Sequence, residues 1–111
     1  MIQFAAVIVN AAGRKIVELG EKAVVFGRIS AYADVSLFDP MVAKRLFEIR
    51  WNADHSCHEV EVFPCVYSPS LNGDLLDSNG ECRPLSVGDV LTIASFSIEY
   101  ISQPASSEAE K

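Results

Sequence analysis

Positive charge is scarce in this sequence. Lys and Arg number 9 against 15 Asp and Glu, a net charge of −6 at pH 7 over 111 residues. Proteins that neutralise nucleic-acid phosphates need a basic footprint to displace the counterions. General nucleic-acid binding is therefore not expected, and an anionic membrane surface is disfavoured for the same reason. Long apolar runs are missing too: none reaches the roughly 18 residues of a membrane-spanning helix. The apolar start, Met1 to Val9, lacks the basic opening of an export signal and reads instead as a first strand. Cysteine is limited to Cys57, Cys65 and Cys82, an odd number without framework spacing. With no export signal, reduced thiols and a cytoplasmic location are expected. Helical patterning is nearly absent. Pro40 to Leu46 offers the best of it and is too short for more than a turn. There is no internal repeat.

What the chain does have is apolar residues in short runs. Half the residues are hydrophobic, enough for one domain with a single core. Phe4 to Val9 is rich in strand formers; Asn10-Ala11-Ala12-Gly13 is a turn, and Arg14 to Leu19 returns, so a hairpin is expected. Lys22 to Phe26 and Val35 to Phe38 read as further strands, the latter ending at Asp39-Pro40. Phe47, Ile49 and Trp51 alternate with Glu48 and Arg50, and Val60 and Val62 with Glu59 and Glu61. Both are half-buried strand patterns. Pro64 and Pro69 hold the next segment to a short or edge strand. Turns follow at Asn72-Gly73 and Asn79-Gly80, then a closing hairpin from Val90 to Ile101 bending at Ala94-Ser95. The fold expected is all-β: a two-sheet antiparallel β-sandwich of short strands with no substantial helix. It spans residues 1–102, and residues 103–111, polar and without core residues, read as a flexible tail or linker.

Chemistry-bearing clusters are few. His55-Ser56-Cys57-His58 contains good zinc ligands, but no second pair matches it and neighbours in a strand point to opposite faces. A metal or redox site on Cys57, His58 and Cys65 is the weaker alternative. Asp74, Asp77 and Glu81 lack calcium-loop spacing. No recognisable nucleophile motif is present. Neither catalysis, a cofactor nor a bound metal is expected.

Function in a sandwich usually sits on loops gathered at one end. Three candidate stretches are the segment after Arg28, Asp39 to Arg45, and Ser68 to Gly73. Taken with their flanks, Val25-Phe26-Gly27-Arg28, Val42 to Ile49, Ser70-Leu71-Asn72-Gly73 and Leu85-Ser86-Val87-Gly88-Asp89-Val90 resemble, in order and spacing, a forkhead-associated (FHA) domain. The resemblance covers about residues 2–101. It implies an FHA-type β-sandwich that reads phosphothreonine in protein partners, with Arg28 on the phosphate and Asn72 on the peptide backbone. The family's phosphate-binding Ser falls on Ala43, which has no donor, with Lys44 beside it. The family's His falls on Leu46.

A hydrogen bond to a charged group contributes about 1.5–3 kcal/mol, so losing the Ser hydroxyl weakens phosphate affinity about ten- to hundredfold. The expectation is a non-catalytic protein–protein interaction module with a degenerate phosphothreonine site, serving as a scaffold or assembly domain. The alternative is a working phosphothreonine reader in kinase-linked signalling. The candidate partner-binding residues are Arg28, Lys44, Arg45, Leu46, Ser70, Leu71 and Asn72. Leu46 carries two readings: it fills the space of the missing His, or it offers a partner an apolar contact together with Tyr32, Phe38 and Met41. Oligomeric state is left open.

Overall fold

The structure, a computed structural model, describes residues 2–104. It has eleven strands: β1 (Ile2–Asn10), β2 (Gly13–Leu19), β3 (Val24–Gly27), β4 (Val35–Ser36), β5 (Phe47–Asn52), β6 (Cys57–Val62), β7 (Ser70–Leu71), β8 (Asp74–Leu75), β9 (Cys82–Pro84), β10 (Val90–Ile93) and β11 (Phe96–Pro104). Two sheets pack face to face, one ordered β2-β1-β11-β10-β7-β8 and the other β4-β3-β5-β6-β9. No described helix is long and apolar enough to cross a membrane.

The strand pairing is antiparallel throughout except for β3 and β4, which run parallel. The chain from Arg28 to Asp34 loops back to begin β4 at the same end as β3. Asp34 donates its N–H to the Val25 carbonyl at 2.8 Å, and its carboxylate accepts the Val25 N–H at 2.8 Å. The third strand begins at Val24, not Lys22, and β4 stops at Ser36. Beyond it, the Leu37 N–H still reaches the Gly27 carbonyl at 2.7 Å. β11 runs into the stretch expected to be a tail: Gln103 pairs with Gln3 and Pro104 with Ile2. The rest of that tail, 105–111, lies outside the described residues.

Alternation does what it should for the core. Phe47 and Ile49 of β5 and Val60 and Val62 of β6 are buried between the sheets, while Glu48, Glu59 and Glu61 on the other face gather round Arg50. Phe26 and Phe47 stack with ring centroids 4.9 Å apart. The asparagine hairpin turns as expected, Asn10 opposite Gly13, with the Asn10 carboxamide oxygen accepting the Ala12 N–H at 3.0 Å.

One end of the sandwich is closed by an aromatic plug around His58, the one buried polar residue among those described. Trp51 meets the His58 ring edge-on at 5.0 Å, and Phe4 stacks on Tyr100 at 5.3 Å. His58 Nε2–H donates to the Gly20 carbonyl at 2.8 Å; Nδ1 therefore accepts the Tyr100 O–H at 2.8 Å. The neutral ring is fully satisfied, and burial pushes its pKa below the ordinary 6.5, against the smaller opposing effect of the Gly20 bond. The native state thus binds the proton less readily than the unfolded chain. Stability from this site is full above pH 6.5 and is lost as pH falls below it. Urea unfolding at pH 7.5 and 5.5 should show a loss of at most about 1.4 kcal/mol per pH unit from one group. His58→Gln should flatten that slope. A wild-type stability unchanged across this window would refute the assignment.

Candidate functional site

At the other end of β3, the chain leaves the sheet at Gly27 and Arg28. Three bonds fix the Arg28 backbone there. Its N–H donates to the Ala43 carbonyl at 2.9 Å, its carbonyl accepts the Ser36 hydroxyl at 2.7 Å, and the preceding Gly27 carbonyl accepts from Leu37. Gly27 lies flat against the neighbouring loop, where any Cβ would collide with the Lys44 carbonyl. That close approach explains why glycine precedes the arginine.

The loop from Asp39 to Arg45 is shaped by Asp39. Its carboxylate accepts the Met41 N–H at 2.8 Å and its carbonyl the Val42 N–H at 2.9 Å. This turn sinks Val42 into the core, leaves Met41 exposed and holds Ala43 half-buried against the core. A hollow of about 170 Å³ forms between Arg28, Met41 and Ala43 on one side and Val66 and Tyr67 on the other. Arg28 is the one charged residue lining it. Met41, Val66 and Tyr67 also border an adjoining open groove of about 460 Å³, which runs on past Ser70 and Leu75 to Thr92. Val66 is 87 % exposed and Leu75 71 %. Exposed apolar side chains rimmed by polar ones mark interaction surfaces.

The expected site residues divide. Arg28 and Ala43 do come together, and Ser70 borders the groove. Lys44 is adjacent, with its ammonium 5.5 Å from the Tyr32 ring centroid, a cation–π contact beside the hollow. Arg45 points elsewhere and stacks its guanidinium 4.2 Å from the Phe63 ring centroid.

Two residues, Leu46 and Leu71, must be corrected as partner contacts, and a third, Asn72, has internal bonds of its own. Leu46 has no exposed surface: its N–H bonds to the Phe26 carbonyl and its carbonyl to the Phe63 N–H, so the side chain is drawn between the sheets. It fills space and meets no partner. Leu71, 7 % exposed, is core for the same reason, pairing with Leu91 of β10. Asn72 is committed internally. Its Nδ2–H donates to Asp89 at 3.0 Å and its Oδ1 accepts the Val90 N–H at 2.9 Å. Asp89 in turn accepts the Ser86 N–H at 2.8 Å. The left-handed φ of Asn72 (51°) aims its carboxamide at this turn. Asn72 therefore staples β7 to the start of β10, and its exposed carboxamide keeps one N–H outside these bonds.

The residues missed are Val66 and Tyr67. Their signal was present, two bulky apolar side chains between Pro64 and Pro69 in a stretch with no strand alternation. The metal alternative fails on geometry. Both His58 ring nitrogens are bonded to protein groups, and Cys57 and His58 differ in burial as opposite faces of β6 require. Among the described residues no three His, Cys, Asp or Glu are placed to hold an ion.

The fold is that of FHA domains. The yeast Pml1 splicing factor, whose structure was described with its integration into the RES complex, matches with a TM-score of 0.81 at 16% identity, over 94% of this chain and 82% of that one. The FHA domain of the CT664 protein from Chlamydia trachomatis matches with a TM-score of 0.79 at 16% identity, over 93% and 99%. The N-terminal FHA domain of Rad53p from S. cerevisiae, solved with a phosphothreonine peptide, matches with a TM-score of 0.73 at 19% identity, over 89% and 94%. No protein-family model and no curated protein matches the sequence.

Proposed function

We propose that this chain is a non-catalytic protein-interaction module that grips a segment of a partner protein between Arg28, the 39–45 loop and Val66-Tyr67, with little selectivity for phosphate. The observation that carries the reading is the make-up of the hollow: one guanidinium, no second charge and no Ser at position 43, set beside an exposed apolar groove. A lone ion pair at a solvent-exposed site contributes only about 0.2–1 kcal/mol. Apolar burial of Met41 and Tyr67 against a partner contributes more, roughly 1.5–3 kcal/mol for each side chain fully covered. Complex formation by FHA-fold neighbours supports the class of work, and the Pml1 likeness supports a scaffold or assembly role. Three free cysteines suit the cytoplasm.

A second reading, a phosphothreonine reader in kinase-linked signalling, draws on Lys44 standing next to the hollow. Arg28 and Lys44 would then share the phosphate. A degenerate phosphothreonine peptide library and its unphosphorylated copy, each passed over the immobilised protein, separate the two. We expect enrichment of the phosphorylated set by less than about tenfold, and loss of retained peptides from both sets in Tyr67→Ala. Enrichment of hundredfold or more that vanishes in Arg28→Ala overturns the first reading in favour of the second. Retention of neither set would remove both.

A further inference from the structure

The six-stranded sheet ends in β8 on one side and in β2 on the other. The outer strands β4, β8 and β9 are two or three residues long, too short to template a partner. β2 has seven residues, Gly13–Leu19, and among the described residues no strand pairs with its outer edge. An open edge of that length invites another strand.

Which backbone groups face outward follows from the ladders. Tyr100 uses its N–H and C=O toward β10, bonding Asp89 and Gly88. Its neighbours Glu99 and Ile101 therefore face β1, where they pair with Val7 and Ala5. Odd-numbered β1 residues thus face β11, and Ala6 and Ile8 face β2, meeting Val17 and Lys15. That leaves Arg14, Ile16 and Glu18 with their N–H and C=O groups turned to the open edge.

An identical strand running antiparallel must set outward residues against outward residues. Placing Arg14 against Arg14, or Glu18 against Glu18, opposes like charges. Placing Arg14 against Ile16 leaves Glu18 without a ladder partner, and placing Ile16 against Glu18 leaves Arg14 without one. One register remains. Ile16 faces Ile16, and Arg14 of each copy faces Glu18 of the other, so all three residues bond and both charge pairs are complementary. The outer side chains agree with it. Ile16, 43 % exposed, is the cross-strand neighbour of Val7, so the join runs Val7-Ile16-Ile16-Val7 in one apolar band. Lys15, on the other face, falls opposite Val17, where its stem lies on the valine and its ammonium reaches water.

We propose that β2 pairs antiparallel with β2 of a second copy of this chain, centred on Ile16, joining two six-stranded sheets into one. β7 and β8, whose Ser70 and Leu75 border the groove, lie toward the far edge from this join. Both grooves stay open, and the dimer is bivalent toward a partner. The pairing itself does not depend on the function proposed above.

Sedimentation of the full chain from low micromolar to near-millimolar concentration tests it. The mass should rise toward that of a dimer. Arg14→Glu, a surface change that opposes like charges in both pairs, should weaken association by at least about tenfold. Adding Glu18→Arg to that variant restores the complementary pairs and should restore the dimer. Ile16→Pro removes an N–H that β1 does not use, so it should give a folded monomer by circular dichroism and sedimentation. A wild-type monomer at every concentration overturns the proposal. So does a dimer unmoved by both Arg14→Glu and Ile16→Pro.

Discussion

Leu46→Asp is expected to leave no folded protein at room temperature. Leu46 has 0% of its surface exposed and packs with Phe26, Phe47 and Val62 in the core cluster. Its own backbone groups are already spent on Phe26 and Phe63. The hydroxyl that cluster holds, on Tyr100, is already bonded to His58, so a carboxylate placed at position 46 would be desolvated without a partner. That costs several kcal/mol even after its pKa rises to neutralise it. Total stability for a domain of this size is about 5–15 kcal/mol. Leu46→Ala removes volume only and should cost about 2–5 kcal/mol, and Leu46→Met under about 1.5 kcal/mol. Urea denaturation of the three variants checks the order Met, Ala, Asp. A Leu46→Asp protein that melts within a few degrees of the parent and loses only partner binding would put this side chain back on the surface.

Leu46 also shows where sequence reasoning stops. Strict alternation with Phe47, Ile49 and Trp51 places it on the opposite face of β5, and that holds only if it belongs to β5. The strand begins one residue later, and the bonds to β3 and to the exit of β6 turn Leu46 inward. Asn72-Gly73 is a similar case. The dipeptide correctly signals a turn, but what the Asn side chain holds is settled by Asp89 and Val90, 17 and 18 residues away. Local pattern served well wherever both partners were local. The hairpins at Asn10–Gly13 and Ala94-Ser95 and the β5–β6 pair all stand as expected. β9 was invisible because Cys82–Pro84 has no alternation, ends in proline, and is a strand only through its bonds to Glu59–Glu61. Tyr67 was missed for the complementary reason. A loop has no period, so its bulky apolar pair between two prolines signals an exposed contact without saying that it will face Arg28.

Gly27→Ala should cost stability and binding together. The added methyl would meet the Lys44 carbonyl oxygen, with the Lys44 carbonyl carbon at 2.8 Å and the Arg45 Cα at 3.0 Å. These are backbone atoms and cannot swing aside as a side-chain end could. The loop they belong to is pinned on both flanks, by Arg28 to Ala43 at 2.9 Å and by Leu46 to Phe26 at 2.8 Å. Buried Val42 and Leu46 hold it from beneath. To admit the methyl, the loop must retreat and strain or break those bonds. Overpacking costs about 1–3 kcal/mol and each lost bond about 0.5–1.5 kcal/mol, so about 2–4 kcal/mol is expected in all. The same retreat pulls Ala43 and Met41 away from Arg28 and spoils the hollow, so peptides retained by the parent should bind at least about tenfold more weakly to the folded fraction. Gly20→Ala is the matched control. Nothing lies within 4 Å of its added methyl and its φ is outside the left-handed region, so it should be neutral or stabilising by up to about 1 kcal/mol. Thermal melts of the two alanine variants, followed by peptide titration below both melting points, make the comparison. If Gly27→Ala melts with Gly20→Ala and binds as the parent does, the loop does not rest on the end of β3, and the hollow cannot be the site.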